Sequence, residues 1–359
     1  MLTTKEGLQQ VLDTAESIVL PAGIKKPNVA LVKDAGGDFG RIPGHLFYKN
    51  AYWPRYERFL VNNQIPYAFV DIHRSGWQEL LAGFDALVWR VDSNPTALME
   101  AKTKLSIAEN LLNIKCLPSG SEVWHYEDKG RIHELLTFFG FPLPPTLFSF
   151  SKQEALDFIE ACEYPLISKI LTGSASKGVS LIKSAGQARS LICKAFGRKG
   201  RKTYWPQIRQ KGYVYLQEYI KDARYDLRVI VIGNKFFGYY KWPRKGRLFA
   251  SGSGRIEKKG LPAEAMMLAL RVKECLGAAQ LAVDFLYSEK QRKYLIIEVS
   301  VFIQVSTSEQ LHLNGIAGYY LFNGRSFSFV RGRYWLQEVA LAEFFKENFS
   351  MSTLITDAQ

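Results

Sequence analysis

Two kinds of hydrophobic spacing alternate along the first part of the chain, and a change of texture near residue 145 divides it. Short apolar runs of strand type at Asn28 to Lys33, Tyr67 to Val70 and Asp85 to Trp89 are separated by stretches with helical spacing. Strands alternating with helices predict an α/β layer on a parallel sheet. Leu98 to Leu112 reads as a helix, and so does Lys129 to Phe139, stopped by Gly140. A turn-rich linker through Pro142, Pro144 and Pro145 follows.

Beyond the linker, Ser151 with Glu154 three residues on predicts a capped helix start. A strand at Tyr164 to Ile170, a Gly/Ser loop, a strand at Val179 to Ile182 and a helix from Ser184 come next. Tyr213 to Tyr219, Asp226 to Ile232 and Lys235 to Lys241 read as consecutive strands, with Gly233-Asn234 as a hairpin turn between the last two. Two more apolar strands, Ala282 to Tyr287 and Tyr294 to Ser300, flank a charged turn, and Tyr334 to Phe349 has near-helical spacing. The expected architecture is a smaller α+β domain leading into a larger antiparallel sheet.

Composition adds bounds. With 359 residues and 47% hydrophobic content the chain can build two or three packed domains. No apolar run is long enough to cross a bilayer, and Met1 to Gln10 lacks the features of a signal peptide, so the expectation is a cytoplasmic protein without a membrane partner. Cys116, Cys162, Cys193 and Cys275 are widely spaced without a CxxC pair, which argues for reduced core thiols rather than zinc or disulfides. The net charge of +13 opens a nucleic-acid reading. Its densest run, Lys194 to Lys211, serves equally as a basic loop over a polyanionic nucleotide or acidic substrate, and no helix-turn-helix, finger or RNA-recognition signature accompanies it. Nucleic acid is not expected as the principal partner.

The candidate chemistry lies in charges embedded in apolar strands. Asp284 and Glu298 sit in neighbouring strands, where alternation can bring both to one face. There they either hold a hard divalent cation with phosphate oxygens or pair with Lys and Arg. Lys169 ends an apolar strand just before the small-residue loop from Thr172 to Val179. That loop either lets backbone N–H groups approach a phosphate or is an ordinary hairpin connection; it is not a P-loop, lacking the GKS/GKT ending. Glu218 closes another strand, and Arg228 is embedded in Asp226 to Ile232. Asp38-Phe39-Gly40 copies a kinase triplet without the rest of the kinase signature and reads as a turn. The histidines show no metal spacing, and His125 beside Trp124 and Tyr126 reads as packed.

In this order the motifs resemble the ATP-grasp superfamily, in its glutathione-synthetase-like and RimK-like branch. The resemblance covers roughly Asp85 to Gln304. It implies two α+β subdomains clamping a nucleotide, after a pre-ATP-grasp α/β domain. The expected limits are 1–125 for that domain, 126–215 for the small subdomain and 216–359 for the large one. By the same resemblance ATP and magnesium are the cofactors. Lys129 in Glu127-Asp128-Lys129 and Lys169 reach the phosphates under a flap from Gly173 through Ser174 and Ser176 to Gly178. Glu218, Tyr219 and Ile220 form the adenine hinge, and Asp222 is a ribose contact. Arg228 holds the transferred phosphoryl group, with Lys169 and Lys241 as further catalytic cations. Asp284, Glu298 and Ser300 are the metal ligands, with Ser300 where many relatives carry Asn.

The implied function is an ADP-forming carboxylate-amine ligase acting through an acyl phosphate. Its substrates would be a small-molecule carboxylate and an amine, with sugar acids, amino acids and peptides as candidates. A phosphotransferase acting on a hydroxyl and a non-catalytic nucleotide-binding scaffold, suggested by Ser300, are the alternatives. Acceptor pockets are expected from Gly36 to Tyr48 and from Lys241 to Gly254. The segments Trp124 to Lys129 and Phe249 to Gly254 are similar to ATP-grasp proteins of surface-polysaccharide and secondary-metabolite gene clusters. Homodimers are common in the families it resembles.

Overall fold

The computed structural model describes residues 11–34, 51–173, 178–244, 255–303 and 307–351. The N-terminal layer contains β1 (Val29–Leu31), α1 (Trp53–Asn62), β2 (Tyr67–Phe69), α2 (Trp77–Leu81), β3 (Ala86–Val88), α3 (Pro95–Asn110) and β4 (Lys115–Leu117). Every pairing in its sheet is parallel, in the order β2-β1-β3-β4. β1 and β3 are buried throughout, as central strands covered on both faces must be. α3 starts three residues before the expected Leu98, because Asn94 accepts the Ala97 amide and Pro95 fits the first turn. α4 (Gly120–His125) begins with a Ser119/Glu122 capping box, and Glu122 also accepts the Ala279 amide at 2.9 Å. That bond ties the layer to the C-terminal half.

The small sheet and its attachments follow: α5 (Lys129–Phe138), β5 (Thr146–Ser149), α6 (Lys152–Ala161), β6 (Leu166–Lys169), β7 (Val179–Ile182), α7 (Ala185–Ala195), a separate two-stranded ladder of β8 (Arg201–Lys202) and β9 (Arg209–Gln210), and β10 (Val214–Glu218). Its order is β5-β10-β6-β7, all antiparallel. Leu166, Ile182, Val214 and Leu216 on one face pack against Ala155, Ile159, Leu191 and Ile192 of α6 and α7, and this is a core of its own. The expected limit at residue 215 falls inside β10, whose pairing with β5 and β6 carries the small unit to Glu218.

The large sheet is built from β11 (Asp226–Ile232), β12 (Lys235–Trp242), β13 (Arg255–Glu257), β14 (Gln280–Ser288), β15 (Lys293–Ser300), β16 (His312–Leu313), β17 (Ile316–Phe322) and β18 (Phe327–Arg331). α8 (Ala263–Leu276) precedes β14, and α9 (Leu336–Phe349) is the last element among the described residues. The order is β15-β14-β11-β12-β17-β16, with β13 on β12 and β18 on β17. Period-two alternation sorts its faces. Leu227, Val229, Val231, Val283 and Phe285 join α8 and the N-terminal layer in one continuous core. Ile230, Ile232, Phe237, Tyr239 and Ala282 point the other way, onto Trp335, Leu336 and Val339 of the C-terminal region. This second face is apolar at one end, and at the other it carries Asp226, Arg228, Lys241 and Asp284. All four cysteines are free, but Cys193 and Cys275 are exposed rather than in the core. Among the described residues no helix is long and apolar enough to cross a membrane.

Candidate active site

The charged end of the large sheet depends on one extra residue. From the β14–β15 turn the register runs Ser288↔Lys293, Tyr287↔Tyr294, Leu286↔Leu295 and Phe285↔Ile296, and then shifts so that Asp284 faces Glu298. Ile297 is the bulged residue. Had this same sequence kept a regular ladder, Asp284 would face Ile297 and Glu298 would lie on the opposite side of the sheet. On β11 Arg228 faces Asp284, so Arg228, Asp284 and Glu298 form a row across three strands.

Asp284 is 2% exposed. Its oxygens accept from Arg228 Nε at 2.7 Å and Nη2 at 2.8 Å, and from Lys241 Nζ at 2.7 Å. Burial disfavours the charge, but the two cations outweigh it and hold the carboxyl well below the usual carboxylate range. Of the two readings open for these acids, the ion pair is the one seen at Asp284, because both oxygens are engaged by cations. Glu298 differs. It is half-buried, and its carboxylate makes no hydrogen bond or ion pair among the described residues. Asp226 lies opposite Lys241. Desolvation pushes its carboxyl up to about 6, against the pull of Lys241 and with the help of Asp284 and Glu298. Gly238 allows β12 to pass close by, since at φ +157° a Cβ there would stand 2.2 Å from the Arg228 carbonyl oxygen.

The facing lip belongs to the small sheet. Lys169, 8% exposed at the end of β6, donates to the carbonyl of the bulged Ile297 at 3.3 Å. Burial lowers its ammonium to about 8, with Glu298 and Asp226 opposing and Lys129 assisting. Lys129 opens α5 behind the Asp128 cap; its amide donates to Leu171 O at 3.0 Å and its ammonium to Gly173 O. Gly178 has φ +85°, and a Cβ there would meet Ile170 at 2.3 Å. Ser174 and Ser176 lie outside the described residues, as do the expected acceptor segment from Gly36 to Tyr48, most of the one from Lys241 to Gly254, and the Asp38-Phe39-Gly40 turn.

Between the lips runs a cleft with apolar walls at Ile167, Val179, Ile220, Leu286 and Ile297 and charged groups at Lys129, Lys169, Asp226 and Glu298. Gly173, Glu218 and Tyr219 also border it, and the Glu218 amide donates to Pro145 O at 2.8 Å. The cleft therefore collects most of the expected nucleotide contacts. Asp222 is committed elsewhere: its Oδ2 accepts from Ser288 Oγ at 3.1 Å and from the Lys290 amide at 2.7 Å, which ties down the β14–β15 turn. The Ser300 hydroxyl donates to Phe302 O at 2.9 Å. Asp226, Leu286 and Ile297 were not among the expected site residues. Asp226 and Leu286 were findable, because each lies two residues along its strand from an expected one and so shares its face; nothing in the sequence marks the bulge at Ile297. A larger cavity of about 520 Å³ beside Lys115, Lys273 and Glu347 shares no residue with this cleft.

The basic run divides in two. Arg201 donates to Gln210 Oε1 at 3.0 Å and to Ser180 Oγ of β7 at 3.3 Å, so it ties the β8–β9 ladder to the small sheet, and Trp205 is buried. Arg198, Lys199, Lys202, Arg209 and Lys211 are exposed, and none borders the cleft. His125 is buried, and desolvation pushes it down to about 4.

For a divalent cation the fit is specific. Among the described residues no three His, Cys, Asp or Glu side chains converge on a metal position. Glu298 offers one uncommitted carboxylate at the cleft. Magnesium typically takes one or two carboxylates and completes its shell with phosphate oxygens and water, so the donor set suits a cation arriving with a nucleotide rather than a preformed protein cage.

Residues 126–318, more than half of the 359, match the model of the RimK-like ATP-grasp domain. The chain belongs to that family. This ATP-grasp protein is 30% identical over 225 residues to a probable alpha-L-glutamate ligase of Pseudomonas fluorescens (strain Pf0-1), covering 61% of this chain and 68% of the relative. It is 26% identical over 235 residues to the alpha-aminoadipate–LysW ligase LysX of Sulfurisphaera tokodaii, covering 65% and 77%. Its fold is similar to that of the ADP complex of purK, an N5-carboxyaminoimidazole ribonucleotide synthetase, with a TM-score of 0.52 at 14% identity over 80% of this chain and 74% of that one. It is an ATP-grasp ligase of the carbon–nitrogen bond-forming kind.

Proposed function

We propose that this ligase is ADP-forming and joins a small-molecule carboxylate to an amine through an acyl phosphate. The observation that carries the reading is the meeting of Lys129, Lys169 and Glu298 at one apolar cleft between two sheets. Adenine would lie between Ile167 and Val179 on one side and Leu286 on the other, with its edge toward the backbone of Glu218 to Ile220. The two ammonium groups would hold the phosphates, and Glu298 would hold magnesium against them. Magnesium, when bound, would neutralise phosphate charge and fix its orientation. A carboxylate oxygen then attacks the γ-phosphorus as its bond to the ADP oxygen breaks, giving the acyl phosphate. The amine nitrogen next attacks the carbonyl carbon, inorganic phosphate leaves, and the nitrogen loses a proton to give the amide. The similarity to a probable alpha-L-glutamate ligase and to an alpha-aminoadipate–LysW ligase supports an amino acid as one substrate.

Incubation with ATP, magnesium, pooled amino acids, sugar acids and peptides, with hydroxylamine present, tests this. ADP together with a hydroxamate is expected. A phosphorylated product without hydroxamate, or nucleotide binding without turnover, would overturn it.

A further inference from the structure

Tyr215 is 5% exposed yet belongs to none of the apolar cores of the molecule. The register of β10 on β6 pairs Leu216 with Ser168 and Gln217 with Ile167, and one step further it sets Tyr215 opposite Lys169. Cross-strand neighbours of this kind share a face, with Cβ atoms about 5 Å apart. The Lys169 ammonium stands 5.6 Å from the centre of the Tyr215 ring, within the range of a cation–π contact. The ring itself is held in place. Its hydroxyl meets the side chains of Thr146 and Gln217, which bond each other at 2.8 Å. Phe148, its partner on β5, lies 5.9 Å away, and the His133 ring presses edge-on at 5.5 Å. His133 stands one helical turn beyond Lys129 on α5, so the same helix that presents one phosphate-end ammonium braces the platform beneath the other.

We infer that Tyr215 is a positioning residue for nucleotide phosphates: its braced ring fixes the Lys169 ammonium between the Ile297 carbonyl and the cleft, so that it meets a polyphosphate without first being ordered. This rests on the proposed role of Lys169 toward phosphate. A lysine loses much rotamer freedom when it is fixed, and ordering it in advance strengthens binding.

The test is calorimetric binding of ADP and of adenosine, which shares the base and ribose but has no phosphate. Tyr215→Leu is expected to weaken ADP about five- to tenfold and to leave adenosine unchanged. Tyr215→Phe, which keeps the ring, should restore most of the ADP affinity. In a Lys169→Met background Tyr215→Leu should cost nothing further. Equal losses for ADP and adenosine, or a full additional loss in the Lys169→Met background, would overturn the inference and leave Tyr215 as structural filling. If Lys169→Met itself fails to weaken ADP relative to adenosine, the phosphate role of Lys169 falls, and this inference with it. A normal Lys169→Met loss with no effect of Tyr215→Leu removes this inference alone.

Discussion

Arg228 and Asp284 face each other on adjacent strands and share two hydrogen bonds of 2.7 and 2.8 Å, while Lys241 takes the second oxygen of the same carboxylate. One anion thus anchors two cations within the sheet. Fourteen residues further along the chain, Glu298 shares the face but has no such partner among the described residues. The two acids should therefore respond to substitution in opposite ways.

Replacing Asp284 by Asn leaves Arg228 and Lys241 poorly compensated, and breaking a buried pair from one side costs about 3–5 kcal/mol. Urea unfolding should show that loss. Glu298→Gln should leave the unfolding midpoint nearly unchanged and lower turnover by orders of magnitude. Ser300→Ala should cost much less activity, because a neutral hydroxyl already bonded to Phe302 O brings little charge to a cation. Intact turnover in folded Glu298→Gln, or greater damage from Ser300→Ala, rules out Glu298 as the metal ligand.

Asp226 sets a pH dependence of stability. Its folded pKa is raised to about 6 from an ordinary 3.8, so between those values the folded state holds more protons than the unfolded one. Stability should then fall as pH rises through that window, by on the order of 1–3 kcal/mol. Asp226→Asn should flatten this slope by the share of one carboxyl, the remainder coming from groups such as Glu338, which burial raises to about 7. A slope unchanged by the substitution would contradict the assignment to Asp226.

Lys169 works in the other direction at higher pH. With its ammonium lowered to about 8, it loses charge between pH 8 and 10, where the unfolded chain keeps its own. Stability without nucleotide should gain from this group over that range, while ATP affinity falls. In Lys169→Met, ATP affinity should be weaker at pH 7 and nearly flat with pH. Titration calorimetry across the range separates the two trends, and a wild-type affinity that holds up to pH 10 would contradict the phosphate contact.

The exposed half of the basic run should be dispensable for folding. Neutralising Arg198, Lys199 and Lys202 together should shift the melting midpoint little, whereas Arg201→Ala should lower it through the lost bonds to Gln210 and Ser180. We expect no tight duplex or single-strand binding at physiological salt. Tight binding with a steep salt slope that disappears in the triple variant would restore the nucleic-acid reading.

Local pattern carried much of this fold and less of the site. β7 and β11 lie at their expected residues, because Val179 to Ile182 and Asp226 to Ile232 combine apolar side chains with sharp polar boundaries. The N-caps Ser151 and Ser184 were equally legible, since a cap is settled within four residues. β4 and β5 were not, being short runs whose pairing is decided by distant strands. The same limit applies to charges. That Asp284 lies in an apolar strand is visible locally, but Arg228 and Lys241 are 56 and 43 residues away, and only the register brings them to it.

The bulge at Ile297 has a consequence for how this strand can change length. Counted from the turn at Ser288, a regular ladder one residue shorter would set the same acid opposite Asp284 that the bulged ladder sets there now. The strand can therefore lose a residue and keep Glu298 on the cleft face by straightening. A gained residue has no such remedy, because the surplus is already in use, and it would turn the acid to the other side of the sheet. Changes of length here are tolerated in one direction only.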